Sequence, residues 1–186
     1  DRMSAYFDED FDSWVGPFVM AAVNTRVVRR SNELLNGAYG TDFRYDEGTV
    51  ISKGAKGFLG ANALGAGTMA FAGLAALPIT RPLLKKFLPK PGEGPTPEAI
   101  ENGHYHIELR GIHPSDPSKN MTAHVKGDKD PGYGSTSKMI VESALALAQD
   151  DLPVEGGFWT PASAMGDALL SRLPASAGVT FEIESP

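Results

Sequence analysis

"HYHIELRGIHP", residues 104–114, and "MTAHVKGD", residues 121–128, flank the polar run "HPSDPSKN" at 113–120. Apolar and polar side chains alternate along both flanks, the period of a strand with one buried face. A short polar link between two such runs predicts antiparallel pairing through a hairpin loop. Downstream, a helix is predicted from about Ser135 to Gln149, with Met139, Ile140, Leu145 and Leu147 toward the core. A glycine loop then leads to a last helix from about Pro161 to Leu173, with Thr160 as N-cap and Pro161 as first residue. "GVTFEIE" at 178–184 closes the chain as a strand. Strands and helices do not alternate as in a doubly wound sheet. The expected fold class is α+β, a mainly antiparallel sheet with packed helices.

Upstream of the hairpin lies "PKPGEGPTPEAIENG" (89–103), a Pro/Gly-rich connector running into a short helical turn. "PFVMAAVNTRVVRRSNELL" (17–35) predicts a helix, with Asp12 and Ser13 offering cap oxygens near Pro17. Phe43–Ile51 is expected as a strand. On the first helix, two readings stand for Asn24, Arg26, Arg29 and Arg30. They form a solvated face, with Arg29 and Glu33 paired one turn apart. Alternatively Asn24 and an arginine, Arg26 or Arg30, reach a cleft that holds an anionic substrate group, which a guanidinium suits by its fork geometry.

Residues 57–80, "GFLGANALGAGTMAFAGLAALPIT", carry no charge. Lys53 and Lys56 precede them, and Arg81, Lys85 and Lys86 follow. The length would cross a bilayer, but Gly and Ala make up half of it and its apolar strength is low. Three placements stay open for this Gly/Ala-rich helical insert at about 55–88: a span, a lipid-surface contact, and a buried or dimer-packing helix pair.

A net charge of −6 argues against a nucleic-acid partner, whose phosphates call for a basic surface. With no cysteine, disulfides, zinc–thiolate sites and cysteine nucleophiles are excluded. His104 and His106 are expected to share one strand face, without a metal-ligand spacing, and no metal is assigned. The start "DRMSAYFDEDFDSW" has neither the basic nor the apolar region of a signal peptide, so a cytoplasmic fragment is expected.

"DPGYGSTSKMIVESALALAQ" (130–149) sets Gly132, Gly134, Ser135, Thr136 and Ser137 at a helix start. Free amides there can receive an anion, and the hydroxyls can equally serve as caps. Tyr133 and Lys138 are five residues apart, not the four that would place a tyrosine–lysine pair on one helical face. Neither GxGxxG, a phosphate-loop lysine motif nor a GxSxG elbow occurs.

Four ordered blocks carry a resemblance: "PFVMAAVNTRVVRRSNELL", "KPGEGPTPEA", "GDKDPGYGSTSKMIVESALALA" and "GGFWTPASAMGDALLSRL". Together they resemble the C-terminal half of saccharopine dehydrogenase-like oxidoreductases, on the branch of the trans-acting enoyl reductases of polyketide-lipid synthesis. The resemblance implies that residues 1–186 are a single C-terminal substrate and dimerisation domain. An NAD(P)-binding Rossmann domain would precede it, and its absence here implies that the isolated chain binds no cofactor and is inactive. It also implies a homodimer, and puts Tyr133, Gly134, Ser135, Thr136, Lys138 and Thr160 near the cleft facing the cofactor domain. Other classes stay open: a non-enzymatic module on a membrane or lipid surface through residues 57–88, and a pure dimerisation domain.

Overall fold

The computed structural model describes Arg2 and residues 4–184. It is α+β, and its strands form two three-stranded antiparallel sheets. The chain divides into two compact units between Gly94 and Pro95, inside the Pro/Gly-rich connector.

In the first unit, β1 (Tyr6–Asp8), β2 (Ser13–Pro17) and β3 (Gly48–Ser52) form a sheet with β2 in the middle. The β1–β2 turn is closed by Asp8, whose Oδ1 accepts from the amides of Asp10 (3.0 Å) and Phe11 (3.1 Å). Asp12 takes the left-handed conformation there, at φ 46°. The stretch expected to cap and open the first helix is therefore the central strand. Pro17 ends β2, and helix α1 runs Ala21–Leu34 with no side-chain cap. The expected strand 43–51 shortens to β3, because residues 43–47 form a loop that holds α1. Arg29 Nη2 donates to the Tyr45 carbonyl at 3.3 Å, and Asn24 Nδ2 to Glu47 at 2.9 Å.

α1 buries Ala21, Thr25 and Ser31 and leaves Val23 and Val27 exposed. The two buried hydroxyls donate one turn back, Thr25 to Ala21 O at 2.7 Å and Ser31 to Val27 O at 2.9 Å. Each thereby meets a carbonyl of its own helix.

Helix α2 (Gly54–Ala76) lies against β2 and β3 along Gly57, Ala61 and Gly65, all buried. Glycine permits the contact: a Cβ on Gly57 would stand 1.8 Å from Ser52 O. Phe58 meets the Trp14 ring edge-on at 4.9 Å. One helix fills 54–76, and the short helix α3 (Arg81–Leu84) follows.

In the second unit, α4 (Pro97–Asn102) precedes the expected hairpin, β4 (Tyr105–Gly111) and β5 (Met121–Gly127). Pairing runs from Tyr105↔Gly127 to Gly111↔Met121, and β6 (Val179–Glu184) adds antiparallel to β5. Helices α5 (Gly134–Gln149) and α6 (Pro161–Arg172) pack together through Ala146, Ala164 and Met165. A π-helical turn, 173–177, delivers Leu173, Ala177 and Val179 to a second cluster with Val125 and Met139. Met139 packs there as expected, but Ile140 and Leu147 are 67% and 60% exposed. The packed row of α5 instead carries small side chains, Ser135 and Ala146, which let its neighbours approach closely.

Candidate functional site

The C-terminal end of α5, the loop 150–160 and the first turn of α6 enclose an open groove of about 510 Å³. Its apolar lining comes from Leu147, Leu152, Val154, Trp159, Ala164 and Met165. That volume lies in the range of small-molecule sites. The loop is shaped locally: Trp159 Nε1 donates to Glu155 O at 2.8 Å, and a Cβ on Gly157 would stand 3.1 Å from that same Nε1. Thr160 opens α6 as the sequence indicated. Its Oγ1 accepts from Ser163 N while Ser163 Oγ accepts from Thr160 N at 3.0 Å, a reciprocal capping box. Beside the groove Phe158 is 98% exposed. The titratable lining groups are Asp150 and Glu155. This surface can hold an apolar chain; it offers no assembled nucleophile and base.

An ion cluster holds Asp150, one of the groove's lining residues. Arg172 reaches Asp150 in fork geometry, Nε to Oδ2 at 2.8 Å and Nη2 to Oδ1 at 2.6 Å, and Glu142 at 3.2 Å. It ties the end of α5 to the end of α6. The guanidinium holds the Asp150 carboxyl below its ordinary range. A lowered folded pKa adds stability above the unfolded value, about 3.9, and that contribution is lost as pH falls through the folded one. Asp150→Asn should therefore melt below the parent at neutral pH, with the gap closing below about pH 4. A gap that persists unchanged in acid would contradict this role of Asp150.

The helix start "GYGSTSK" is occupied by the chain's own groups. Asp130 Oδ2 accepts from Tyr133 N at 2.7 Å and from Gly134 N at 3.4 Å, and Asp130 O from Ser135 N at 2.8 Å. Ser135 is fully buried with its Oγ 3.0 Å from the Tyr105 hydroxyl, and Thr136 Oγ1 donates to Pro131 O at 2.6 Å. Lys138 Nζ lies 3.7 Å from Asp128, and Tyr133 is exposed. Gly134 is wedged against α4; a Cβ would come within 3.0 Å of Ile100 and Lys129. An external anion would have to displace Asp130. Thr160 is not brought to this cluster. It lies at the other end of α5, twelve residues or about 18 Å along the axis from Ser135 to Leu147.

In the first unit Asn24 is half-buried and committed to Glu47, which also accepts from the Tyr45 hydroxyl at 2.9 Å. Burial and Glu47 together push the Tyr45 phenol upward from its usual value. Glu33 pairs with Arg30 (2.9 Å) and not with Arg29, while Arg26 is exposed. Arg29, Phe43, Arg44, Tyr45 and Asp46 line a second open hollow.

Sequence reasoning had no period to find Leu152, Val154 or Trp159, which sit in an irregular loop. The exposed pair Phe158-Trp159 behind two glycines was the available signal. The histidines also rearrange: His106 Nε2 meets His124 Nδ1 at 2.9 Å across β4–β5, and His124 Nε2 meets Glu184 at 3.0 Å. His104 lies before β4. Among the described residues, no three His, Asp or Glu side chains are grouped to hold a metal.

With this geometry in place, known proteins can be compared. The chain is similar to mycobacterial enoyl reductases. A Mycobacterium tuberculosis protein with the provisional name trans-acting enoyl reductase is 44% identical over 178 residues, 91% of this chain and 41% of that protein. The trans-acting enoyl reductase of Mycobacterium bovis is 42% identical over 173 residues, covering 90% and 40%. That of Mycobacterium ulcerans is 41% identical over 169 residues, covering 87% and 39%. The chain thus spans about two fifths of the length of the curated relatives it matches. No family model and no solved structure matches it.

Proposed function

We propose that this chain is the substrate-side part of an enoyl reductase of the saccharopine dehydrogenase-like type, acting on a lipid or polyketide chain. The observation that carries the reading is the similarity along 91% of the chain to a relative named as a trans-acting enoyl reductase. The groove at 147–165 supplies a physical reason, since an enoyl substrate presents an apolar tail to be held while its double bond is reduced. NAD(P)H would supply the hydride, bound outside these residues. Both sheets are antiparallel, so neither provides the strand, glycine turn and helix of a Rossmann dinucleotide site. A Rossmann domain elsewhere in a longer protein, and a homodimer of that protein, complete the proposal.

The exposed area agrees with a part that expects company. The protein exposes 12934 Å² at 19.7 kDa, whereas two separate globular units of half that mass would expose roughly 10,400 Å² together. Phe158, Ile183 and Ile140 are among the apolar side chains left in water. Titration of the isolated chain with NADPH should give no affinity better than about millimolar, near −4 kcal/mol. Micromolar binding by these residues alone would overturn the division of labour.

A further inference from the structure

Residues 48–92 hold six cations, Lys53, Lys56, Arg81, Lys85, Lys86 and Lys90, and no acid. The rest of the chain sets all 23 acids against the other 11 of its 17 bases. This basic island coincides with a run of exposed apolar side chains in the first unit. The face of α2 that packs on the sheet runs Gly57, Ala61, Gly65 and stops near Thr68. Beyond it Met69, Phe71, Leu77, Ile79, Leu83 and Phe87 are exposed, Ile79 and Phe87 at 86% and 79%. The chain turns after α2 on bonds that present cations there. Thr80 Oγ1 donates to Leu77 O at 2.9 Å, and Arg81 Nε to Ala75 O at 3.0 Å, a positive group at the negative end of the helix dipole.

We propose that residues 69–90 dock this protein onto an anionic lipid surface, lying in the interface without crossing it. The apolar side chains enter the boundary between headgroups and acyl chains, and Arg81, Lys85, Lys86 and Lys90 face lipid phosphates. Helix length selects this geometry. The 23 residues of α2 would reach about 35 Å, enough for a bilayer core of about 30 Å. Its first half, however, is held on β2 and β3 through Gly57, Ala61 and Gly65. The free part, residues 69–76, reaches only about 12 Å. Charge selects the occupant: the same tip on a second copy would bring four cations against four, whereas an anionic bilayer complements them.

The test is flotation of the full chain with vesicles of phosphatidylcholine and phosphatidylglycerol in equal parts, against phosphatidylcholine alone. Binding to the anionic vesicles is expected, at least tenfold weaker on neutral ones and largely released by high salt. Lys85→Glu with Lys86→Glu should weaken it at least tenfold, and Ile79→Ser with Phe87→Ser should do so independently. All four side chains are exposed, and circular dichroism checks that each variant folds. Absence of flotation on anionic vesicles overturns the proposal, as does binding that ignores lipid charge or survives both variants. Retention through a carbonate wash would replace the surface contact by a span. A lipid-indifferent dimer dissolved by Phe87→Ser would make the tip a self-association face instead. None of these results depends on whether the longer protein reduces enoyl groups.

Discussion

Gly57→Ala should destabilise the first unit by about 3 kcal/mol or more, the upper range of overpacking, although alanine is the better helix former. Propensity alone would give the opposite sign, a gain of about 1 kcal/mol. Geometry decides between them: the new methyl carbon would lie 1.8 Å from Ser52 O and 2.6 Å from Ser52 C, both backbone atoms that no rotamer change can remove. Helix α2 would have to lift from β3, and the Trp14–Phe58 contact at 4.9 Å would open with it. Gly67→Ala is the control within the same helix, since nothing lies within 4 Å of its Cβ position. There the propensity gain should appear undiminished. Urea unfolding followed by Trp14 fluorescence, in a Trp159→Phe background, measures both. Equal or raised stability for Gly57→Ala would mean that α2 does not lie on the sheet as described.

The contrast between these two glycines shows what a linear sequence conveys. The β4–β5 hairpin, β6 and the capped start of α6 were legible because period, turn composition and the Thr160-Pro161 pair are local signals. β2 was not. Val15, Gly16 and Pro17 are all buried, so no alternation marks the strand, and a proline that ends a strand looks like one that opens a helix. α1 misleads further, because Thr25 and Ser31 are buried and donate to carbonyls of their own helix. At the candidate site, the hydroxyls of 135–137 announced a helix start. That Asp130 already takes its amides, and that Tyr105 comes from thirty residues away to meet Ser135, is tertiary information. The groove was legible only as a glycine loop with two aromatics.

Gly156→Trp should block the groove with little effect on folding. Gly156 lines it, has nothing within 4 Å of its Cβ position and needs no left-handed backbone. An indole placed there competes with an acyl tail for the apolar wall of Leu152, Val154 and Met165. If that wall holds the tail, the loss of kcat/KM should grow with tail length, because each buried methylene contributes about 0.8 kcal/mol. For a tail with four methylenes in the groove, losing half of that contact corresponds to a fall of roughly tenfold, and a fuller loss to about 100-fold or more. A substrate too short to reach the groove should be turned over as before. The measurement is NADPH oxidation by the proposed two-domain reductase, with trans-2-enoyl thioesters of increasing length, for the parent and Gly156→Trp. The account predicts chain-length-dependent loss in a variant whose melting curve matches the parent. Equal turnover of all lengths by both proteins, or no enoyl-dependent oxidation by the parent, would contradict it.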